Sequence, residues 1–175
     1  MFTPVPKSIL YCYGQWHKFI PELEIMGVTV FSGVPPNSLL ERMEKPCLLV
    51  FDDLMYSINP KTLSEFFTKR AHHENFGIFF ITQNLFDKSL MVPRNNSQYI
   101  ILTRSPNSAL QIRTFGSQIF VSQLPFFLDA YRQATEQNYG YLLIDLHPSS
   151  RSNLRLRTNI FPDDKEPSVF VPAKI

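Results

Sequence analysis

The apolar positions of this chain fall into short dense runs separated by stretches with helical spacing. Residues 7–14 (KSILYCYG), 28–33 (VTVFSG), 47–53 (CLLVFDD), 78–84 (IFFITQN), 98–105 (QYIILTRS) and 141–148 (YLLIDLHP) read as strands. In 47–53 and 78–84 nearly every position before the polar end is apolar, which predicts burial on both faces, as in a parallel sheet. Residues 15–27 read as a short helix interrupted at Pro21 and closed by Gly27. Residues 35–45 read as a second helix, with Asn37 or Ser38 as its cap and Lys45 at its end. The clearest helix is 59–77: Asn59 can cap it, Pro60 suits its first turn, Leu63, Phe66 and Phe67 recur on one face, and Gly77 is its expected stop. Residues 108–120 and 123–138 also read as helices, the second closed at Gly140, and 85–96 form a connection of no assigned shape. LRLRTNIF (154–161) alternates like an edge strand, with Arg155 and Arg157 on one side. The pattern as a whole predicts an α/β fold, a largely parallel sheet with helices on both faces. It spans residues 1–162, and a proline-punctuated, loosely attached tail occupies 163–175.

Composition adds bounds rather than chemistry. A chain of 175 residues suits one domain. Its net charge of +2 is too small to signal nucleic-acid binding by itself, so any basic surface must come from local clustering. The two cysteines, Cys12 and Cys47, both lie inside apolar runs and read as free buried thiols rather than a disulfide framework. No run approaches the length of a membrane span or a signal-peptide core, so a soluble intracellular protein with no membrane partner is expected.

The chemistry collects where strands end. In open α/β sheets the working groups gather at the carboxyl ends of the strands. Here those ends carry Asp52 and Asp53, Thr82-Gln83-Asn84, Thr103-Arg104-Ser105, and Asp145. Two adjacent acids can share a site only where the strand stops, since side chains within it alternate in direction. A magnesium ion is commonly held through one or two carboxylates together with phosphate oxygens. A second acid can take the proton of an attacking water. Gln83 or Asn84, as an amide, can orient that water or sense a phosphate. The bland alternative is that the two acids cap the next helix or face solvent. The neighbouring His72 and His73 point about 100° apart on a helix, so they read as surface or helix-end residues rather than metal ligands.

LLVFDDLM, FTKRAHHENFGIFFITQNLF and the stretch from QYIILTRSPNSALQIR to GYLLIDLHPSSRSNLRLRTNIFPDD together resemble the FtsK/HerA-type genome-packaging ATPases. The nearest flavour is that of poxvirus-like large DNA viruses and Polinton/Maverick virus-like transposons. The resemblance runs from about residue 7 to residue 164. It implies an incomplete P-loop NTPase core of the RecA/ASCE kind, with ATP and Mg²⁺ as cofactors, double-stranded DNA as partner and a homo-oligomeric ring as the full-length form. Asp52 then matches the metal acid of the Walker B strand and Asp53 the catalytic acid, where many members of the superfamily carry the longer glutamate. Gln83 matches the polar sensor, with Asn84 beside it at the nucleotide. Arg94, Arg104 and Arg113 are candidates for an arginine finger, and Arg94 is preferred.

The phosphate loop itself is not in this chain. No GxxxxGKS or GxxxxGKT occurs, and the glycines at 14, 27, 33, 77, 116 and 140 are isolated. The resemblance places that loop upstream, on a strand lying between the TQN strand and the one after it. Residues 78–84 and 98–105 are therefore expected either to face a gap or to pair with each other. Three functions compete: the downstream part of an ATP-driven DNA motor that is not self-sufficient for catalysis, a catalytically inactive interaction module, and direct DNA binding through LRLR with Arg104 and Arg113.

Overall fold

The computed structural model describes residues 4–164 and 166–172, the His72 side chain excepted. The chain divides into two compact units, Met1–Asn96 and Ser97–Ile175.

The first unit is built on a four-stranded, all-parallel sheet. Its strands are β1 (Ser8–Tyr13), β2 (Thr29–Ser32), β3 (Cys47–Asp52) and β4 (Phe76–Ile81), in the order β2-β1-β3-β4. The connections carry α1 (Ile20–Ile25), α2 (Asn37–Arg42) and α3 (Pro60–Glu65), the last continued by a π turn (Phe66–Arg70) and α4 (Ala71–His73). The step from β1 to β2 runs one way across the sheet, and the steps to β3 and β4 run the other way. Right-handed crossovers therefore put α1 on one face and α2 and α3 on the opposite one. The packing agrees. Leu40 of α2, Leu63 of α3 and Phe66 join Leu10, Cys12, Leu49 and Phe51 in one buried cluster, with the rings of Phe51 and Phe66 edge to face at 5.0 Å.

On the α1 face the expectation of two buried faces fails at β4. Phe76 is buried, but Phe79 and Ile81 are 39% and 40% exposed. Within this unit β4 ends the sheet, and the crossover rule brings only α1 to that face, over β1 and β2.

Local details correct several sequence readings. Pro21 opens α1 rather than interrupting it. Neither Asn37 nor Ser38 caps α2: the cap position is Pro36, and Asn37 Oδ1 accepts from Arg70 Nη2 at 2.6 Å. Asn59 does cap α3, accepting from the Lys61 N–H at 2.8 Å. The turn into β4 is made by Asn75 in the left-handed region (φ 52), and Gly77 lies inside the strand. The connection 85–96 contains a 3₁₀ turn and α5 (Met91–Asn96).

Both cysteines are free and buried. Burial, aided by Cys47, pushes the Cys12 thiol up to about 12 from 9.0. The folded state thus keeps a proton that the unfolded chain gives up. This thiol's contribution to stability is full below pH 9 and is lost as pH rises from 9 toward 12. Native protein at pH 8 is expected to resist thiol alkylation at Cys12, with labelling appearing only on unfolding; rapid native labelling contradicts this.

The second unit is antiparallel. Strands β5 (Tyr99–Thr103), β6 (Tyr141–Asp145), β7 (Leu156–Thr158) and β8 (Ser168–Phe170) pair in sequence order. Helices α6 (Ala109–Ile119) and α7 (Leu124–Ala134) form the link between β5 and β6, where Gly116 lets the two helices close: a Cβ there would sit 2.3 Å from a ring carbon of Phe127.

This unit overturns three expectations. The sheet is parallel only over its first four strands, because the later strands form a separate antiparallel sheet. LRLR is not on an edge, since β7 is paired on both sides. The segment read as a loose tail contributes β8. Strand β4 ends the sheet of the first unit, and β5 ends that of the second.

Candidate functional site at the carboxyl ends of β3 and β4

The two acids part company as β3 ends. Asp52 is the last residue of the strand, in register with Tyr13 of β1 and Ile81 of β4. Its side chain lies on the α1 face. Leu54, two residues on, is fully buried in the core on the other face. The chain makes that change of side through Asp53, which takes the left-handed conformation (φ 53). A non-glycine residue there costs some conformational energy, which aspartate tolerates better than most side chains. The Asp53 side chain is left exposed.

Gly14 stabilises this bend from the end of β1. Its N–H donates to the Asp52 carbonyl at 2.9 Å, and a Cβ on it would lie 2.1 Å from the Asp53 carbonyl oxygen. Here glycine answers a close backbone approach. Gly14→Ala is expected to destabilise the first unit by about 1–3 kcal/mol through overpacking and to displace Asp53. Chemical denaturation and the amide shifts of residues 52–54 check it; a variant of unchanged stability and shifts contradicts it.

Asp53 and Gln83 line one small depression of about 60 Å³, together with Met55, Tyr56, Ile81, Thr82 and Asn84. Gln83 is exposed. Thr82 and Asn84 are used in shaping the loop: Thr82 donates to the Met55 sulfur at 3.3 Å and accepts from the Asn84 N–H at 3.1 Å. Asn84 Oδ1 in turn accepts from the Phe86 N–H at 3.2 Å. Gln83 is therefore the amide that the loop leaves available to a ligand, whereas the Asn84 carbonyl is committed to a turn.

Asp52 is engaged differently. The Tyr11 hydroxyl donates to its Oδ2 in a short hydrogen bond, and His17 Nε2 lies 3.7 Å from the same oxygen and 3.1 Å from the Tyr11 oxygen. Burial, and then the Asp52 carboxylate, hold the Tyr11 hydroxyl protonated well above the ordinary tyrosine range. Asp52 Oδ1 has no partner among the described residues. No group of three or more His, Cys, Asp and Glu side chains converges on a possible metal position among the described residues. Asp52 is not among the residues that line the depression at Asp53 and Gln83, so a divalent cation at Asp52 would rest on its open oxygen and on the oxygens of its own ligand. That fits the habit of magnesium at phosphate sites.

The other sequence candidates are scattered. Arg94 donates to the Leu85 carbonyl at 3.0 Å and lies over the Phe86 ring, so it ties down the segment after the TQN strand. Arg104 and Arg113 are exposed in the second unit, as is His73 in the first, while the His72 side chain lies outside the described residues. Asp145 is a structural carboxylate. It is 2% exposed and accepts from the His147 N–H at 3.0 Å, the Ser150 hydroxyl at 2.8 Å and Arg157 Nη2 at 2.9 Å. Arg157 Nη2 is thereby committed to this ion pair.

No protein-family model, curated protein or solved structure matches this chain. No helix among the described residues is long and apolar enough to cross a membrane.

Sequence reasoning missed Tyr11, His17 and Gly14. Tyr11 did carry a signal, a polar-tipped residue between Leu10 and Cys12, hence on the strand face opposite the core.

Proposed function

We propose that residues 52, 53 and 83 form the catalytic side of a magnesium–nucleoside triphosphate site, in the downstream part of an ATP-hydrolysing DNA-translocating motor of the FtsK/HerA packaging type. One observation carries this reading. Asp53 and Gln83, from the carboxyl ends of adjacent parallel strands, line one depression that also includes Ile81, the register partner of Asp52. Asp52 holds the cation, Asp53 takes the proton of the attacking water and Gln83 orients that water. Magnesium, when bound, offsets charge on the phosphate oxygens. The ring of backbone N–H groups and the lysine that grip the phosphates come from a phosphate-loop strand and helix outside these residues. Double-stranded DNA is the substrate of translocation, and a ring of copies supplies the arginine finger in trans.

A second reading is favoured by one observation, the lack of GxxxxGKS or GxxxxGKT within the 175 residues. It makes the chain a catalytically silent module that keeps the fold. Metal-dependent nucleotide binding at Asp53 and Gln83 separates the two: binding that requires the cation supports the motor reading, and its absence supports the silent module.

A further inference from the structure

Three chemical groups from separate parts of the first unit meet on the α1 face of its sheet. Tyr11 comes from β1, His17 from the loop before α1, and Asp52 from the end of β3. The direction of the hydrogen bonds follows from their chemistry. A carboxylate only accepts, so the Tyr11 proton goes to Asp52 Oδ2. The Tyr11 oxygen then has only lone pairs to offer, and His17 Nε2, 3.1 Å away, must be the donor. His17 Nδ1 is left buried and without a hydrogen-bond partner among the described residues. The imidazole is held by shape as well, edge to face with Tyr11 at 5.9 Å and with Phe19 at 6.1 Å.

We propose that Tyr11 and His17 are positioning residues for Asp52. Together they occupy Oδ2, fix the plane of the carboxylate and turn Oδ1 outward as the oxygen offered to a cation. The proposal rests on the reading of Asp52 as a cation ligand. Outer-shell donors of this kind orient a ligating carboxylate, and their loss typically costs about 10–100-fold in metal affinity.

The test uses the full chain and Mn²⁺ alone, followed by paramagnetic broadening of backbone amides. Tyr11→Phe removes one oxygen and keeps the ring. It is expected to weaken Mn²⁺ broadening around residue 52 by about 10–100-fold. His17→Ala is expected to weaken it as well, and His17→Gln, whose amide can still donate to the Tyr11 oxygen, to restore it. Asp52→Asn is expected to abolish it. Undiminished binding in Tyr11→Phe alongside loss in Asp52→Asn overturns the positioning role and leaves the cation reading standing. Binding unchanged in Asp52→Asn, or absent from the unsubstituted chain, removes the cation reading and this proposal with it. A second readout is independent of metal: ¹⁵N shifts of the His17 ring, assigned against His17→Gln, are expected to show the Nε2–H tautomer. An Nδ1–H tautomer contradicts the hydrogen-bond order.

Discussion

Asp53→Asn is expected to lower ATP hydrolysis by about 10²–10⁴-fold once a phosphate-loop strand and helix complete the site. Asparagine has nearly the shape of aspartate but no basic oxygen to take a proton. Asp53 is exposed, and no hydrogen bond or ion pair involving its side chain is present among the described residues. Its loss should therefore leave folding and nucleotide affinity nearly unchanged. That separation of turnover from binding distinguishes a proton acceptor from a helix cap or a solvated acid. Asp53→Glu, one methylene longer, is expected to keep hydrolysis. Steady-state phosphate release checks both, and full turnover by Asp53→Asn rejects the catalytic role.

The largest stability effect is expected at Asp145. Its carboxylate is buried and satisfies three donors: a backbone N–H, a hydroxyl and the Arg157 guanidinium. Asp145→Ala leaves all three without their acceptor. Removing one partner of a buried pair costs about 3–5 kcal/mol. The lower end applies because the Arg157 side chain is 34% exposed and water can reach it. Against a typical total of about 5–15 kcal/mol, that is enough to populate open forms of the second unit. The single tryptophan, Trp16, lies in the first unit, so amide exchange at β6 is the proper readout. Exchange at β6 is expected to accelerate strongly, and unchanged protection contradicts the structural role.

The first unit was largely legible because its evidence is local. Apolar runs at 47–51 and 78–81 mark neighbouring strands of a parallel sheet, Asn59-Pro60 marks a helix start, and polar residues mark where the strands stop. The pairing of Asp53 with Gln83 was legible for the same reason: consecutive parallel strands joined by one helical crossover bring their carboxyl ends together.

What escaped depends on partners distant in sequence. Tyr11 meets Asp52 only through the register of β1 on β3, and no spacing rule links positions so far apart. The second sheet escaped because IILT and YLLID are apolar enough for either a parallel or an antiparallel neighbour. A helical pair between them looks like a crossover yet serves an antiparallel pairing. LRLR was misread since alternation reports which face a side chain takes, not how many neighbours a strand has.

The most direct measurement of the phosphate-site reading is amide broadening by Mn·ATP in the ¹⁵N-labelled full chain. Signals of residues 52–54 and 82–84 are expected to broaden first, to recover when EDTA removes the metal, and to stay sharp in Asp52→Asn. Broadening confined to other residues, or equal broadening in Asp52→Asn, would show that the paired aspartates do not hold a metal-bound triphosphate.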